Sequence, residues 1–188
     1  MVRWVAVLLL CACTGARESA RPREDSEGIG PRVGLDLSYR NLVGRRFEGQ
    51  ELYRIRLVQS DVSGSSFAMS FLASADLRGA VAVDTSFRQA DLSRADFASA
   101  RLRGADLRQA TLFEANLFDA DLRGASLAGA NVRNARFARA HLSGTVLEPL
   151  EGWSPEAFAD VACWDERTRW PEGFAPVAEV QACHLHRD

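Results

Sequence analysis

Ala105-Asp106-Leu107-Arg108-Gln109-Ala110-Thr111-Leu112-Phe113-Glu114-Ala115-Asn116-Leu117-Phe118-Asp119-Ala120-Asp121-Leu122-Arg123-Gly124 returns a leucine at every fifth place, with alanine two places before it. Carried outward in both directions, the step of five lands on an apolar residue at all twenty-three places from Leu37 to Leu147, and only Ala82 among them is small. From Ala75 to Ala140 the place two residues earlier is alanine every time, Thr85 alone excepted. Five residues advance an α-helix by about 500°, so successive leucines would sit about 140° apart and form no stripe. Along a straight strand the same step reverses the face each time. What remains is a chain that bends once per repeat, with the alanine and the Leu/Phe facing inward and the other three residues turning a corner: a solenoid.

A longer period shows at the corners. Glycine stands two places after the central residue at Gly44, Gly64, Gly104, Gly124 and Gly144, and Asp84, a residue that tolerates a left-handed backbone, fills the gap. Phe47, Phe67 and Phe87 repeat the same step of twenty in the central column, while Gly49, Gly79 and Gly129 fall outside it. Four repeats per coil is the simplest arrangement.

Ala75-Asp76-Leu77-Arg78-Gly79, Ala115-Asn116-Leu117-Phe118-Asp119 and Ala120-Asp121-Leu122-Arg123-Gly124 resemble the A-(D/N)-L-x-x motif of the pentapeptide-repeat family. The resemblance implies an all-β fold, a right-handed quadrilateral β-helix with four repeats per coil, over residues 35–147. Nearly six coils stacked about 4.8 Å apart give a rod about 28 Å long. Ala82 and Thr85 depart from the pattern together, and an underfilled interior loses packing contacts, so the ladder is expected to be weakest there.

The chain of 188 residues has no lysine, and its net charge of −2 is unevenly spread. Residues 35–147 carry fifteen arginines against twelve acids, residues 148–188 three against nine. Residues 1–12 read as a signal peptide, with Arg3 as a minimal basic region and Trp4 to Leu10 as a short apolar core, too short to span a bilayer. Leu10-Cys11-Ala12-Cys13 resembles a bacterial lipobox in which Cys13 is lipidated and becomes the mature N-terminus. Ordinary cleavage between Cys13 and Ala16 without lipid is the alternative. Residues 13–34 then form a lipidated, flexible tether, rich in charge and poor in apolar side chains. Thr14 is not the aspartate that retains some lipoproteins at the inner membrane, which weakly favours the outer membrane.

Arg40, Arg45 and Gln50 occupy places where later coils have alanine. A charge cannot sit unpaired in the interior, so these side chains are expected to turn outward from an irregular end coil. Past Leu147 the period stops, and residues 148–188 are expected to supply a C-terminal helix and capping tail. Ser154-Pro155-Glu156 has a helix-start composition, with Ser154 as N-cap and a helix reaching toward Cys163. Trp170-Pro171-Glu172-Gly173-Phe174 resembles the W-P-x-G-F tail that closes many pentapeptide-repeat chains.

Cysteine arithmetic supports export. Cys11 leaves with the signal and Cys13 takes lipid, so Cys163 and Cys183 remain as a pair in an oxidising compartment. A disulfide between them would close a loop of about 20 residues and contribute about 3 kcal/mol. A zinc site on Cys183, His184 and His186 is the rival, but no second ligand cluster completes a tetrahedron. No metal and no cofactor are therefore assigned. Nothing resembles a catalytic constellation: Asp76, Asp91, Asp96, Asp106 and Asp121 hold the outward second place of the repeat, and His141 has no nucleophile set beside it. Some pentapeptide-repeat proteins mimic DNA and act on gyrase in the cytoplasm; a slightly basic rod behind an export signal argues against that function. No basic stripe points to nucleic acid either. Phe113 and Phe118 follow inward leucines and should face outward near one corner, with Tyr53 in the column of Phe113. They are candidate anchors for a partner protein, with the acidic tail as an alternative cover. The expected function is a non-enzymatic, envelope-anchored scaffold or adaptor, monomeric or dimerised end to end, with unidentified envelope proteins as partners.

Overall fold

In the computed structural model, residues 33–176 are described; residues 33–152 wind into a β-helix whose repeat is one β-bridge followed by one turn every five residues. Each bridge joins a residue to the one twenty places on, in parallel, from Asp36↔Arg56 through Ser126↔Val146. Four five-residue steps therefore make one coil, and the bridges define four faces. Face I carries Asp36, Arg56, Asp76, Asp96, Asn116 and Arg136; face II runs from Asn41 to His141, face III from Arg46 to Val146 and face IV from Glu51 to Asn131. Six coils follow, residues 33–52 being the first and 133–152 the sixth. Pairing along each face is a single residue deep, except where β1 (Ala130–Asn131) meets β2 (Leu150–Glu151).

The period of five becomes an interior because two residues of each repeat point inward and pack between coils. From Leu52 to Leu147 every central residue is buried, as is every alanine of the second column. Rings stack along face III: Phe47 lies 4.7 Å from Phe67, which lies 5.4 Å from Phe87. Phe87 also meets Phe97, edge to face at 5.8 Å. Nearly every turn is closed by a hydrogen bond such as Ala75 N–H to Leu72 O at 2.9 Å; the turn from Ala82 to Thr85 lacks it. The closure requires a left-handed residue two places after the central one. Glycine supplies it at nine of the twenty-three corners from Gly34 to Gly144, but Arg54, Met69, Glu114 and Asp119 adopt the same positive φ. At Gly104, φ +66°, a Cβ would also meet the carboxylate of Asp84, which would have to swing aside.

Ala82 and Thr85 leave no break. Both are fully buried, the bridges of face II pass through Val81 in register, and Thr85 Oγ1 donates to Val62 O at 2.9 Å. A polar side chain in this column is thus satisfied by a backbone carbonyl, of its own turn for Ser60 and Ser70 and of the coil below for Thr85. Ser65 does the same to Leu42 O, Thr145 to Leu122 O and Thr168 to Leu142 O.

Two expectations about the ends are corrected. Coil 1 is regular, bridged on all four faces. Arg40 and Arg45 are exposed and Gln50 half-buried, and no described residue lies beneath that coil; backbone pairing to coil 2 needs no alanine there. The helix after Ser154 is a single 3-10 turn, Pro155–Phe158, and the Ser154 hydroxyl makes no capping bond. It ends early because the chain must return to the rod wall: Arg139 N–H donates to Asp160 O at 2.7 Å and Ala162 N–H to Ala140 O at 3.0 Å. The tail thereby begins a further layer, pairing His141 with Cys163 and Val146 with Arg169. Cys11, Cys13, Cys183, His184 and His186, with the expected signal and most of the tether, lie outside the described residues.

Arginine-aspartate pairs decorate the faces. Arg78 holds Asp76 in a two-point contact, Nε and Nη2 each at 2.8 Å, and Arg108 holds Asp106 the same way. The guanidinium hydrogen bonds set both carboxyls below their usual range, against burial, which pulls the other way. Burial would raise the Asp165 carboxyl, but Arg167 and the Gly144 N–H bring it down. A depressed carboxylate contributes stability above its unfolded pKa and loses that contribution as pH falls through the folded value. Thermal melting should therefore be flat from about pH 8 to 5 and fall below about pH 4. A melting temperature unchanged between pH 5 and pH 2.5 would show that these pairs contribute nothing.

Candidate functional site

The outer surface consists of columns of side chains held one layer apart, so which residues meet is decided by steps of twenty. Phe113 on face IV and Phe118 on face I flank one corner of coil 5, and both are half-buried. At that corner Glu114 accepts from Arg94 Nε at 2.7 Å. Arg139, paired to Asp119, lies 5.4 Å from the centre of the Phe118 ring, so part of that ring is covered by a cation from the coil above. The tail's aromatic contacts run to Phe137 and among its own rings. Tyr53 shares the column of Phe113, but Ala73 and Ser93 stand between them. Its ring stacks instead on Phe71 at 5.9 Å. Phe113 and Phe118 therefore form one locus, and Tyr53 belongs to another.

Phe158 plugs the C-terminal end of the rod. It is 3% exposed, 5.1 Å from Phe137, 5.5 Å from Trp170 and 5.5 Å from Phe174. The Trp170-Pro171-Glu172-Gly173-Phe174 segment turns through Gly173 at φ +82°, with Phe174 N–H on Pro171 O, and brings Phe174 within 4.9 Å of Trp170. Because the plug crosses the interior, face I lacks a bridge above Arg136. A cleft of about 350 Å³ opens there, between Asn134, Arg136 and Phe137 on one side and Ser154, Glu156 and Asp160 on the other.

Cys163 sits at the top of face II, 5% exposed, with Sγ 3.0 Å from His141 Nε2 and 3.8 Å from Ser143 Oγ. Among the described residues no group of three or more His, Cys, Asp and Glu is placed to hold a metal ion. The His141–Cys163 contact was not foreseeable from spacing, because the tail inserts two residues between the bridges at Glu151 and Cys163 relative to the regular ten. Met69 and Phe71, both exposed, were also missed; a tally of the outward and corner columns would have found them.

A family model for pentapeptide repeats matches residues 70–109 and 115–148 in eight copies. A pentapeptide repeat protein from Nostoc PCC 7120 is 35% identical over 58% of this chain and 77% of its own, with a TM-score of 0.35. One from the Arabidopsis thaliana thylakoid lumen is 34% identical over 54% of this chain and 67% of its own, TM-score 0.33. QnrB1, a plasmid-mediated fluoroquinolone resistance protein, is 18% identical over 73% of this chain and 93% of its own, TM-score 0.35. No protein of curated function matches the chain.

Proposed function

The chain belongs to the pentapeptide repeat family, and on that premise we propose that it is a non-enzymatic scaffold of a bacterial envelope, tethered to a membrane through lipid on Cys13. The observation that carries this reading is the unbroken register of the outward columns from coil 1 to coil 6. Side chains fixed by a packed ladder lose little entropy when a partner binds. The corner at Phe113 and Phe118 is the protein-binding locus, with aromatic rings and the Arg94–Glu114 pair at its centre. The winding is right-handed and the cross-section four-sided, as in the family. A disulfide between Cys163 and Cys183 ties the capping tail to face II, and the tether positions the rod on the periplasmic side of the outer membrane.

The test is metabolic labelling with a radioactive fatty acid in a bacterial host, comparing the wild-type chain with Cys13→Ala and fractionating the membranes. Label and membrane retention should both disappear in the variant. A full-length, unlabelled wild-type chain recovered in the cytoplasm would overturn the reading.

A further inference from the structure

We infer that the N-terminal end of the rod is a foot that sinks into the surface of a lipid bilayer, an inference that rests on the proposed anchoring at Cys13. Among the described residues, every exposed large apolar side chain lies in the first two coils: Val33 (59%), Tyr39 (73%), Val43 (49%), Met69 (57%) and Phe71 (42%). Coils 3 to 6 and the described part of the tail present none. These residues form no lateral patch. Val33 and Tyr39 stand at the two corners of face I, Val43 on face II, and Met69 and Phe71 at the corner and strand of face IV, so they ring the end on three of its four sides. Inside the ring, Leu35, Leu37 and Leu42 are only partly covered.

A ring at one end of a rod fits a flat partner lying across the axis. Two such partners exist, a bilayer and the end of a second copy. A second copy stacked end to end would cover Leu35, Leu37 and Leu42 but would leave Tyr39, Met69 and Phe71 in water, since these stand on the outer wall. A bilayer covers both sets. Coil 2 lies about 4.8 Å above coil 1, and interfacial segments bury their apolar side about 5–10 Å into the headgroup and acyl boundary. Tyrosine is favoured at that depth, and exposed arginines such as Arg40 and Arg46 can reach phosphates from it. The outer backbone edge of coil 1, unpaired among the described residues, stays within the headgroup layer, where water and lipid oxygens satisfy it. The chain order argues the same way: the proposed anchor at Cys13 precedes coil 1, so the chain enters the rod at this end and the foot is the end nearest the anchor in sequence. Coil 1 carries Arg40, Arg45 and Arg46 against Asp36, Glu48 and Glu51, so the contact is apolar and not a charge attraction.

The experiment uses the mature full chain in phosphatidylcholine vesicles containing a diazirine-bearing phosphatidylcholine, followed by irradiation, cleavage at arginine and mass spectrometry. Lipid adducts are expected on residues 33–40, 41–45 and 57–78, several-fold above those on residues 109–123. The triple variant Val33→Ser, Tyr39→Ser, Val43→Ser, altered only at exposed positions, should lose the adducts on coil 1 while acylation of Cys13, read from the N-terminal peptide, is unchanged. Adducts spread evenly along the rod, adducts absent from residues 33–78, or a dimer without adducts would each overturn the foot. The anchor fails separately, if the N-terminal peptide carries no lipid; adducts on coil 1 of an unacylated chain would leave the foot standing.

Discussion

Phe87→Ala is expected to destabilise the rod by about 3–5 kcal/mol and to split its unfolding into two steps. The ring is fully buried, 5.4 Å from Phe67 and 5.8 Å from Phe97, so its removal strips both neighbours of a packing partner. The void cannot be filled locally, because the preceding repeat places Ala82 in the interior of the same coil. A solenoid makes contacts only between adjacent layers, so a failure in coil 3 uncouples the coils on either side. The tryptophans provide a probe: apart from Trp4, in the expected signal peptide, they are Trp153, Trp164 and Trp170, all in the tail. In urea, their fluorescence should report the unfolding of the far end alone, at a midpoint separate from that of far-ultraviolet circular dichroism. Coincident transitions with a loss below about 1 kcal/mol would mean that the phenylalanine stack does not hold coil 3 together.

Phe158→Ala is expected to release the tail while leaving most of the rod folded. The side chain is the only contact by which the 3-10 turn meets both Phe137 beneath it and the Trp170 and Phe174 rings beside it, among the described ring contacts. Its loss removes about 3–5 kcal/mol from a segment whose other large apolar side chains are only partly buried. Phe137 and the interior of coil 6 would then meet water, and an uncovered coil edge offers pairing groups to another chain. The variant should show red-shifted tryptophan emission and concentration-dependent association in sedimentation velocity, with far-ultraviolet circular dichroism nearly unchanged. Native emission from a monomeric variant would show that Thr168 and the bridges at Cys163 and Arg169 suffice to hold the cap.

The interior was legible in the sequence because a period of five fixes which side chains face inward, and Leu107, Leu112 and Leu117 cannot be buried together in any other way. The step of twenty was legible in Gly44, Gly64 and Gly104, which mark corners where the backbone turns left-handed. Arg54, Met69 and Glu114 were not legible as such corners: the turn's hydrogen bond imposes positive φ whatever residue stands there. The tail's aromatic composition announced a cap, but its path did not follow from composition. Pro155–Phe158 stays one turn long because tertiary pairing at Asp160 and Ala162 competes with local helix formation. The candidate site was legible in direction only. Phe113 and Phe118 leave the interior as their place in the repeat requires, but coils about 4.8 Å away, with arginines reaching across, decide how much of each ring is covered. Tyr53 joined Phe71 because proximity along a wall depends on adjacent layers, and a shared column three coils apart supplies none.

The bridges that join each residue to the one twenty places on make the rod a counter as well as a support. Inserting twenty residues adds a layer and lifts the far end by about 4.8 Å without turning it. Inserting five leaves the interior equally well packed but swings the far end through a quarter turn relative to the end that enters from the tether. Height and heading are thus encoded separately, one in the number of whole coils and the other in the remainder, so a lineage could re-aim the corner at Phe113 and Phe118 without altering a single contact residue.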